Sequence, residues 1–321
     1  MPLTNQSPKP ITFSNQTLVT EFILQGFSEN PHVEILAFCL FLFFYLLTVI
    51  GNSLIIASVW LTSGLHTPMY FFLINLALLD IICTTTVIPK LLENLMEEKK
   101  TISFVGCMTQ VYVFSWGLLS ELILFTAMAY DRYVAICRPL HYSTLMNNKI
   151  CGISVAVVWI VGGLVSGMHT AMLAQLSFCG PNKIEHFFCE IPPILLLSCS
   201  STKVNELMEF VTDLLLGGGN FFLTTMSYVY IIANILKIRS EEGKKKAFST
   251  CSSHLIVVTM YYISIFSAYI SPSASYSPGK GKAIAALYTT LSPAVNPLIY
   301  TLRNKDVKIA LRKLFVRLFS F

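Results

Sequence analysis

Two carboxylates, Asp80 and Glu121, stand in stretches otherwise nearly free of charge, where solvation by hydrocarbon in place of water costs several kcal/mol. Two acids near one cavity would bind a cation or share a proton, because adjacent like charges favour protonation of one of them. The alternative is two separate packing carboxyl groups, each held by its own hydrogen bonds. Glu121 and Arg132 are eleven residues apart, close to three helical turns, so they share a face with Glu121 about 16 Å deeper. In Asp131-Arg132-Tyr133 an arginine beside an acid can be held in one state and released in another, although such a pair at a helix end also serves as an interfacial anchor. Pro293 and Pro297 each remove a backbone donor from one helix. Asn296 is placed to repair the gap, and Tyr300 follows on nearly the same face as Pro297. There is no hydrolase serine elbow, phosphate loop or zinc-ligand spacing. His186-Phe187-Phe188-Cys189-Glu190 could chelate a metal only with Cys189 reduced, so neither metal nor cofactor is expected.

These groups need elements to hold them in an apolar medium. Of the 321 residues, 54% are hydrophobic and 12% charged, with a mean hydropathy of +0.66, against roughly 25% charged in soluble domains. The net charge of +5 is too small for a nucleic-acid binder, and a soluble enzyme is excluded. Apolar stretches longer than the roughly 18 residues that mark a membrane helix recur. The run Ile35–Leu79 is broken only by the turn formers Thr62 to Pro68. The pattern predicts spans near 34–60, 68–92, 103–135, 150–173, 204–237, 246–270 and 282–302, an all-α membrane protein with a seven-transmembrane helix bundle. Fourteen of the 22 basic residues fall on the side of Arg132, Lys244-Lys245-Lys246 and Arg303, which the positive-inside rule makes cytoplasmic and which leaves the N-terminus extracellular.

The sequons Asn5-Gln6-Ser7 and Asn15-Gln16-Thr17 lie in the polar N-terminal segment and agree with that orientation; Pro8 makes Asn5 the poorer acceptor. No basic n-region and cleavage site precede the first span, which is expected to act as an uncleaved signal anchor. Cys107, Cys179, Cys189 and Cys199 fall outside, an even set that implies disulfides. Three connectivities are open, and topology favours pairing Cys107 with a cysteine of the 174–203 loop. Gly163 with Gly167, and Gly217-Gly218-Gly219, permit close helix approach or ordinary small-residue packing. Beyond the last span, Val307, Leu311, Leu314, Phe315 and Leu318 share one helical face and Lys305, Lys308 and Arg312 largely the other, a short cytoplasmic interfacial helix on the lipid bilayer. It has no cysteine for a lipid anchor. The division is thus 1–33, an extracellular segment; 34–302, the bundle; and 303–321, the amphipathic helix and tail.

Several motifs resemble those of the rhodopsin-like G-protein-coupled receptors: Gly51-Asn52, Leu76-Ala77-Leu78-Leu79-Asp80, Asp131-Arg132-Tyr133, Trp159 and Asn296-Pro297-Leu298-Ile299-Tyr300. A more specific set resembles the odorant (olfactory) receptors, and the start Glu21-Phe22-Ile23-Leu24-Gln25-Gly26-Phe27-Ser28 resembles their tetrapod-type class II. The set comprises Leu65-His66-Thr67-Pro68-Met69-Tyr70, Met128-Ala129-Tyr130-Asp131-Arg132-Tyr133-Val134-Ala135-Ile136-Cys137, Ser227-Tyr228, Lys246-Ala247-Phe248-Ser249-Thr250-Cys251 and Pro293-Ala294-Val295-Asn296-Pro297. The resemblance covers nearly the whole chain. It implies the disulfides Cys107–Cys189 and Cys179–Cys199. It also implies an activation and G-protein switch at Asp131, Arg132, Tyr133, Tyr228, Asn296, Pro297 and Tyr300, a plasma-membrane location, and coupling to a stimulatory olfactory-type heterotrimeric G protein that raises cAMP. The loop Ser277 to Lys282 departs from the family by lacking acids between its lysines.

A transporter or channel would also suit seven spans with buried acids, but no inverted repeat or pore-lining charge series supports it. Within the fold, amine receptors place an Asp where this chain has Phe114, and opsins a Schiff-base Lys where it has Thr290. The expected ligand is a small, mostly apolar volatile odorant. Its pocket is expected to be lined by Phe114, Ser115, Leu118, Leu119, Thr212, Leu216, Tyr262, Ile265, Tyr269 and Thr289, with one or two hydroxyls setting orientation.

Overall fold

A computed structural model of the chain describes residues 19–27, 30–179, 181–269, 278–303 and 305–319; the sequons at Asn5 and Asn15 lie outside them. Helix α1 (Pro31–Leu61) starts where the Asn30 side-chain oxygen accepts the His32 amide at 3.0 Å, with Pro31 at a position that needs no N–H. Pro68 takes the corresponding first position of α2 (Pro68–Met96), there without a side-chain cap. Ser103 Oγ accepts the Gly106 amide at the start of α3 (Phe104–Cys137), and Asn147 accepts Ile150 at the start of α4 (Asn148–Ala174), each at 3.0 Å. Helix α5 (Lys203–Lys237) contains a π-turn at Asp213–Gly218, and α6 spans Glu241–Tyr269. Three abutting segments, Pro278–Ala286, the π-turn Leu287–Leu291 and Ser292–Arg303, make α7; α8 is Lys305–Phe319.

Helices α1 to α6 are long and apolar enough to cross a membrane, and α7 completes a bundle of seven. The helices overrun the apolar stretches that announce them. Helix α2 continues to Met96, and α6 begins at Glu241 and so takes in Lys244-Lys245-Lys246, because charged residues that are good helix formers extend a helix into water at little cost.

The sequence pattern does not reveal a small sheet. Strand β1 (Glu21–Leu24) pairs antiparallel with β2 (Thr101–Ser103), Phe22 opposite Ile102, and parallel with β3 (Lys183–Ile184), Ile23 opposite Lys183. Alternation buries Phe22 and Leu24 while Glu21 and Ile23 face outward. The buried pair joins Ile102, Val111, Ile184 and the Cys107–Cys189 disulfide in one apolar cluster. Cys179 is bonded to Cys199, with Cα atoms 5.9 Å apart. Gln110 on α3 completes this end: its Nε2 donates to the Thr86 carbonyl on α2 at 2.9 Å, and its Oε1 accepts the Cys189 amide at 2.8 Å.

At the opposite end α8 packs under α1, with Val307, Ala310 and Leu314 buried while Ile309 is 54% exposed. Part of the apolar face expected to meet lipid therefore meets the bundle. The glycines divide by role. A Cβ on Gly162 would strike Ser120 Oγ and Trp116, one on Gly163 would press on the Trp116 ring, and on Gly217 or Gly219 it would meet nothing. Close approach thus belongs to the α3–α4 contact, and the glycine triplet lies at the π-turn of α5.

Because one disulfide ties α3 to the loop and to the sheet beneath it, Cys107→Ser or Cys189→Ser should lose about 2–5 kcal/mol. Surface expression in intact cells, read by an N-terminal epitope tag, is expected to collapse in each single variant; normal display of both would contradict this role.

Candidate functional site

The polar centre of the bundle is built from α1, α2, α3 and α7. Pro297 has no N–H to give the carbonyl of Pro293 four residues earlier, so that oxygen is orphaned inside the membrane. Asn52 on α1 donates its Nδ2 to it at 3.3 Å, and to the Thr48 carbonyl at 3.0 Å. This corrects the expectation for Asn296: the repair comes from another helix, because a side chain one position before the proline points away from the broken turn. Asn296 instead donates to both oxygens of Asp80, at 3.0 and 3.2 Å. Gly51 lets α1 approach, since a Cβ there would sit 2.9 Å from Pro297 Cγ.

Asp80 and Glu121 are near enough to interact electrostatically. Between them lies the Cys83 thiol, close to Glu121, whose Oε1 has no partner among the described residues. Cys83 lies one turn beyond Asp80, and Gly117 one turn before Glu121. A Cβ on Gly117 would collide with the Cys83 sulfur, so the glycine brings α2 and α3 together at the acids. The lateral wall is fastened by Trp159 Nε1 donating to Asn75 Oδ1 at 3.0 Å and Trp116 Nε1 to the Trp159 carbonyl at 2.9 Å.

Nearer the sheet end, Phe114 is buried against Phe188 of the long loop, ring centroids 5.1 Å apart, and faces Tyr288 of α7 at 6.1 Å. Leu118 touches the clusters above and below it, and its carbonyl accepts the Tyr261 hydroxyl at 2.9 Å. Ser115 and Leu119 are half-buried, Leu216 and Ile265 pack on the central cluster, and Tyr262 makes edge and tilted ring contacts with Phe221, Tyr261 and Phe266. Two expected hydroxyls are already engaged: Thr212 with His169 Nε2 at 2.9 Å, and Thr289, fully buried, donating to the Ala285 carbonyl at 2.8 Å. The Tyr262 hydroxyl lies near Thr224 without a completed hydrogen bond. The side chain of Tyr269 lies outside the described residues.

At the far end Arg132 is bound to its neighbour Asp131, with Nε to Oδ2 at 2.8 Å, and Tyr142 donates to the other oxygen, Oδ1, at 2.7 Å. Burial pushes the Tyr142 phenol above its ordinary range, reinforced by Asp131, so it remains a donor. Tyr228 and Tyr300 are near Arg132 but not bonded to it: the Tyr228 hydroxyl meets His254 Nδ1 at 2.6 Å, and the Tyr300 hydroxyl has no partner among the described residues. Arg132, His254 and Tyr300 open onto a cavity of about 730 Å³. The side chain of Tyr133 packs against Tyr230 of α5, with centroids 6.1 Å apart.

Sequence reasoning missed Tyr142 and His254 as partners, because each meets its neighbour across a tertiary contact that no helical spacing encodes. It also missed Glu190, Glu209 and Asp213, which interact electrostatically around the sheet-end mouth of α5; Tyr288 donates to Glu190 there at 2.8 Å. Cys189, being disulfide-bonded, cannot act as a thiolate ligand. His186 Nε2 lies 3.4 Å from Glu190 while burial holds the imidazole below its usual range, with Glu190 opposing and Lys282 adding to the shift.

Asp80→Asn, Glu121→Gln and the double variant should show a coupling of about 0.5–3 kcal/mol in the thermal stability of the purified protein, since the two sites share Cys83. Strict additivity would mean two independent carboxyl groups.

Comparison with known proteins places these features among relatives. A family model described as olfactory receptor matches residues 38–318. The chain is 55% identical to human olfactory receptor 13A1 over 96% of its own length and 94% of the relative's. It is 50% identical to human olfactory receptor 13G1, over 94% and 98%, and 45% identical to mouse olfactory receptor 1M1, over 95% and 98%.

Proposed function

The chain belongs to the olfactory receptor family, and on that premise we propose that it binds a small, mostly apolar volatile within the bundle and activates a stimulatory olfactory-type G protein to raise cAMP. The family is one of receptors, not of enzymes. In this reading the N-terminus and the sheet are extracellular, the Arg132 end and α8 are cytoplasmic, and residues 34–302 form the transmembrane unit between segments 1–33 and 303–321. The observation that carries the ligand class is the wall of Phe114 and Leu118 under Phe188, with the Tyr262 hydroxyl left without a hydrogen bond. A ligand lying against that wall gains about 25 cal/mol per Å² of apolar area removed from water. One acceptor atom oriented by Tyr262 would supply the polar handle. An odorant has too few atoms for tight binding, so potency in the micromolar range or weaker follows.

Glu190, Glu209 and Asp213 at the mouth favour a second reading, a protonated amine as the ligand. A cAMP reporter screen that pairs alcohols, esters and amines of equal chain length separates the two by which member of each set responds.

Signalling in this reading needs Arg132 to leave Asp131, whose second oxygen stays held by Tyr142. The aromatic hydroxyls of Tyr228 and Tyr300 and the G protein would receive it. Arg132→Ala should therefore remove at least about nine-tenths of odorant-stimulated cAMP, the loss expected when a shift near 1.4 kcal/mol or more is forfeited, at matched surface level. Undiminished cAMP would remove Arg132 from the switch.

Replacing Leu118 with Phe should narrow the proposed ligand site and move preference toward shorter ligands. The ratio of responses to a short and a long homologue, at equal surface expression, should change by about 10-fold, the discrimination one or two methylenes afford in an apolar pocket. An unchanged ratio would make Leu118 a packing residue only.

A further inference from the structure

Where α8 folds back under α1, a cleft of about 190 Å³ lies between the two, lined by Ser58, Leu61, Thr62 and Ser63 on one side and by Lys313 and Leu314 on the other. None of these residues belongs to the ligand pocket or the switch. Ser58 is 1% exposed, yet its hydroxyl has no partner among the described residues. Serines and threonines inside helices usually return their hydroxyl to the carbonyl four residues back, as Thr48, Ser154 and Ser227 do here. Ser58 instead lines the cleft as a buried donor without an acceptor, a state that costs free energy unless something fills it. Opposite stands the ammonium of Lys313, which makes no ion pair among the described residues. Among the described residues no acidic side chain lines the cleft.

We propose that this cleft seats the phosphate of a phospholipid with a net negative headgroup. Three hydroxyl donors and one ammonium converging on a small polar space match the acceptor-rich, anionic surface of a phosphate. The carbonyl end of α1 points the same way and carries the negative end of the helix dipole. Hydroxyls alone would not hold an anion there, so the lysine supplies the necessary sign. A zwitterionic choline headgroup would bring its own cation toward Lys313. The cleft also borders the hydrocarbon, because Trp60 and Leu61 beside it are 78% and 58% exposed, leaving apolar surface for acyl chains. That is why a lipid is the occupant and not a free phosphate ion. Residues 303–321 hold no cysteine to acylate, and a bound headgroup would be a non-covalent tie between α8, α1 and the bilayer surface.

The test is native mass spectrometry of the full-length receptor in detergent micelles, titrated with phosphatidylserine or phosphatidylcholine. Phosphatidylserine should be retained at about 5-fold lower concentration or less, the advantage of roughly one lysine–headgroup attraction. Ser58→Ala and Lys313→Gln should each erase most of that advantage. Lys308→Gln, which changes an exposed lysine of α8 outside the cleft, should leave it intact. Without lipid, Ser58→Ala should melt at or above the wild-type temperature, since it removes an unmet buried donor, which separates loss of a ligand from misfolding. Equal weakening by Lys308→Gln and Lys313→Gln with Ser58→Ala silent would overturn the proposal in favour of diffuse attraction. Displacement of the lipid by an equal concentration of inorganic phosphate would overturn it in favour of a simple anion site. The readout involves neither odorant nor G protein, so its outcome is independent of the receptor function proposed above.

Discussion

The bundle depends on satisfying polar groups where no water reaches them. Pro297 leaves one carbonyl without its helical donor, and Asn52 reaches from α1 to supply it. Gly51 permits the approach that makes this possible, and Asn296, free of that task, holds the Asp80 carboxyl. One defect in α7 thereby fixes the positions of α1 and α2 relative to it. In water such a defect would be solvated and nearly free of consequence; in hydrocarbon each unmet group costs several kcal/mol. The packing around it has few alternatives for that reason.

The two ends of the molecule are built on different physics. At the sheet end, disulfides, a three-stranded sheet and the Gln110 bridge hold a loop rigidly over the bundle. At the other end the contacts are exchangeable: Arg132 with Asp131, Tyr142 with Asp131, and Tyr228 with His254. Each of these could be replaced by another hydrogen bond of similar strength, so rearrangement there costs little net energy. A ligand bound where it is proposed to lie would need only to shift that balance by its differential affinity for the two arrangements. The acid pair, Cys83 and Gly117 lie between the two regions, on the helices that both share.

Much was legible from residues alone, because hydrocarbon imposes a coarse and unforgiving code. Span number follows from apolar length, and the demand that Asp80, Glu121 and Pro297 make on their neighbours follows from their presence in lipid at all. Helix starts at Asn30-Pro31, Ser103 and Asn147 are likewise local chemistry. The motif Gly51-Asn52 marked α1 as special without saying why, since its partner is 241 positions away.

What only the tertiary structure decided is which polar group answers which. Asn52 takes the task expected of Asn296, because direction on the helix, not distance along it, determines what an amide can reach. The hydroxyls of Thr212 and Thr289, expected at the pocket, are engaged by His169 and the Ala285 carbonyl. Tyr142, His254 and the strand at Glu21–Leu24 have no signal in the local pattern. Their partners come from other elements, and a contact between distant segments exists only once the chain has folded. The sequence by itself determined the solvent, the number of helices and the residues too costly to be idle; the fold determined their pairings, because pairing is a matter of direction in three dimensions.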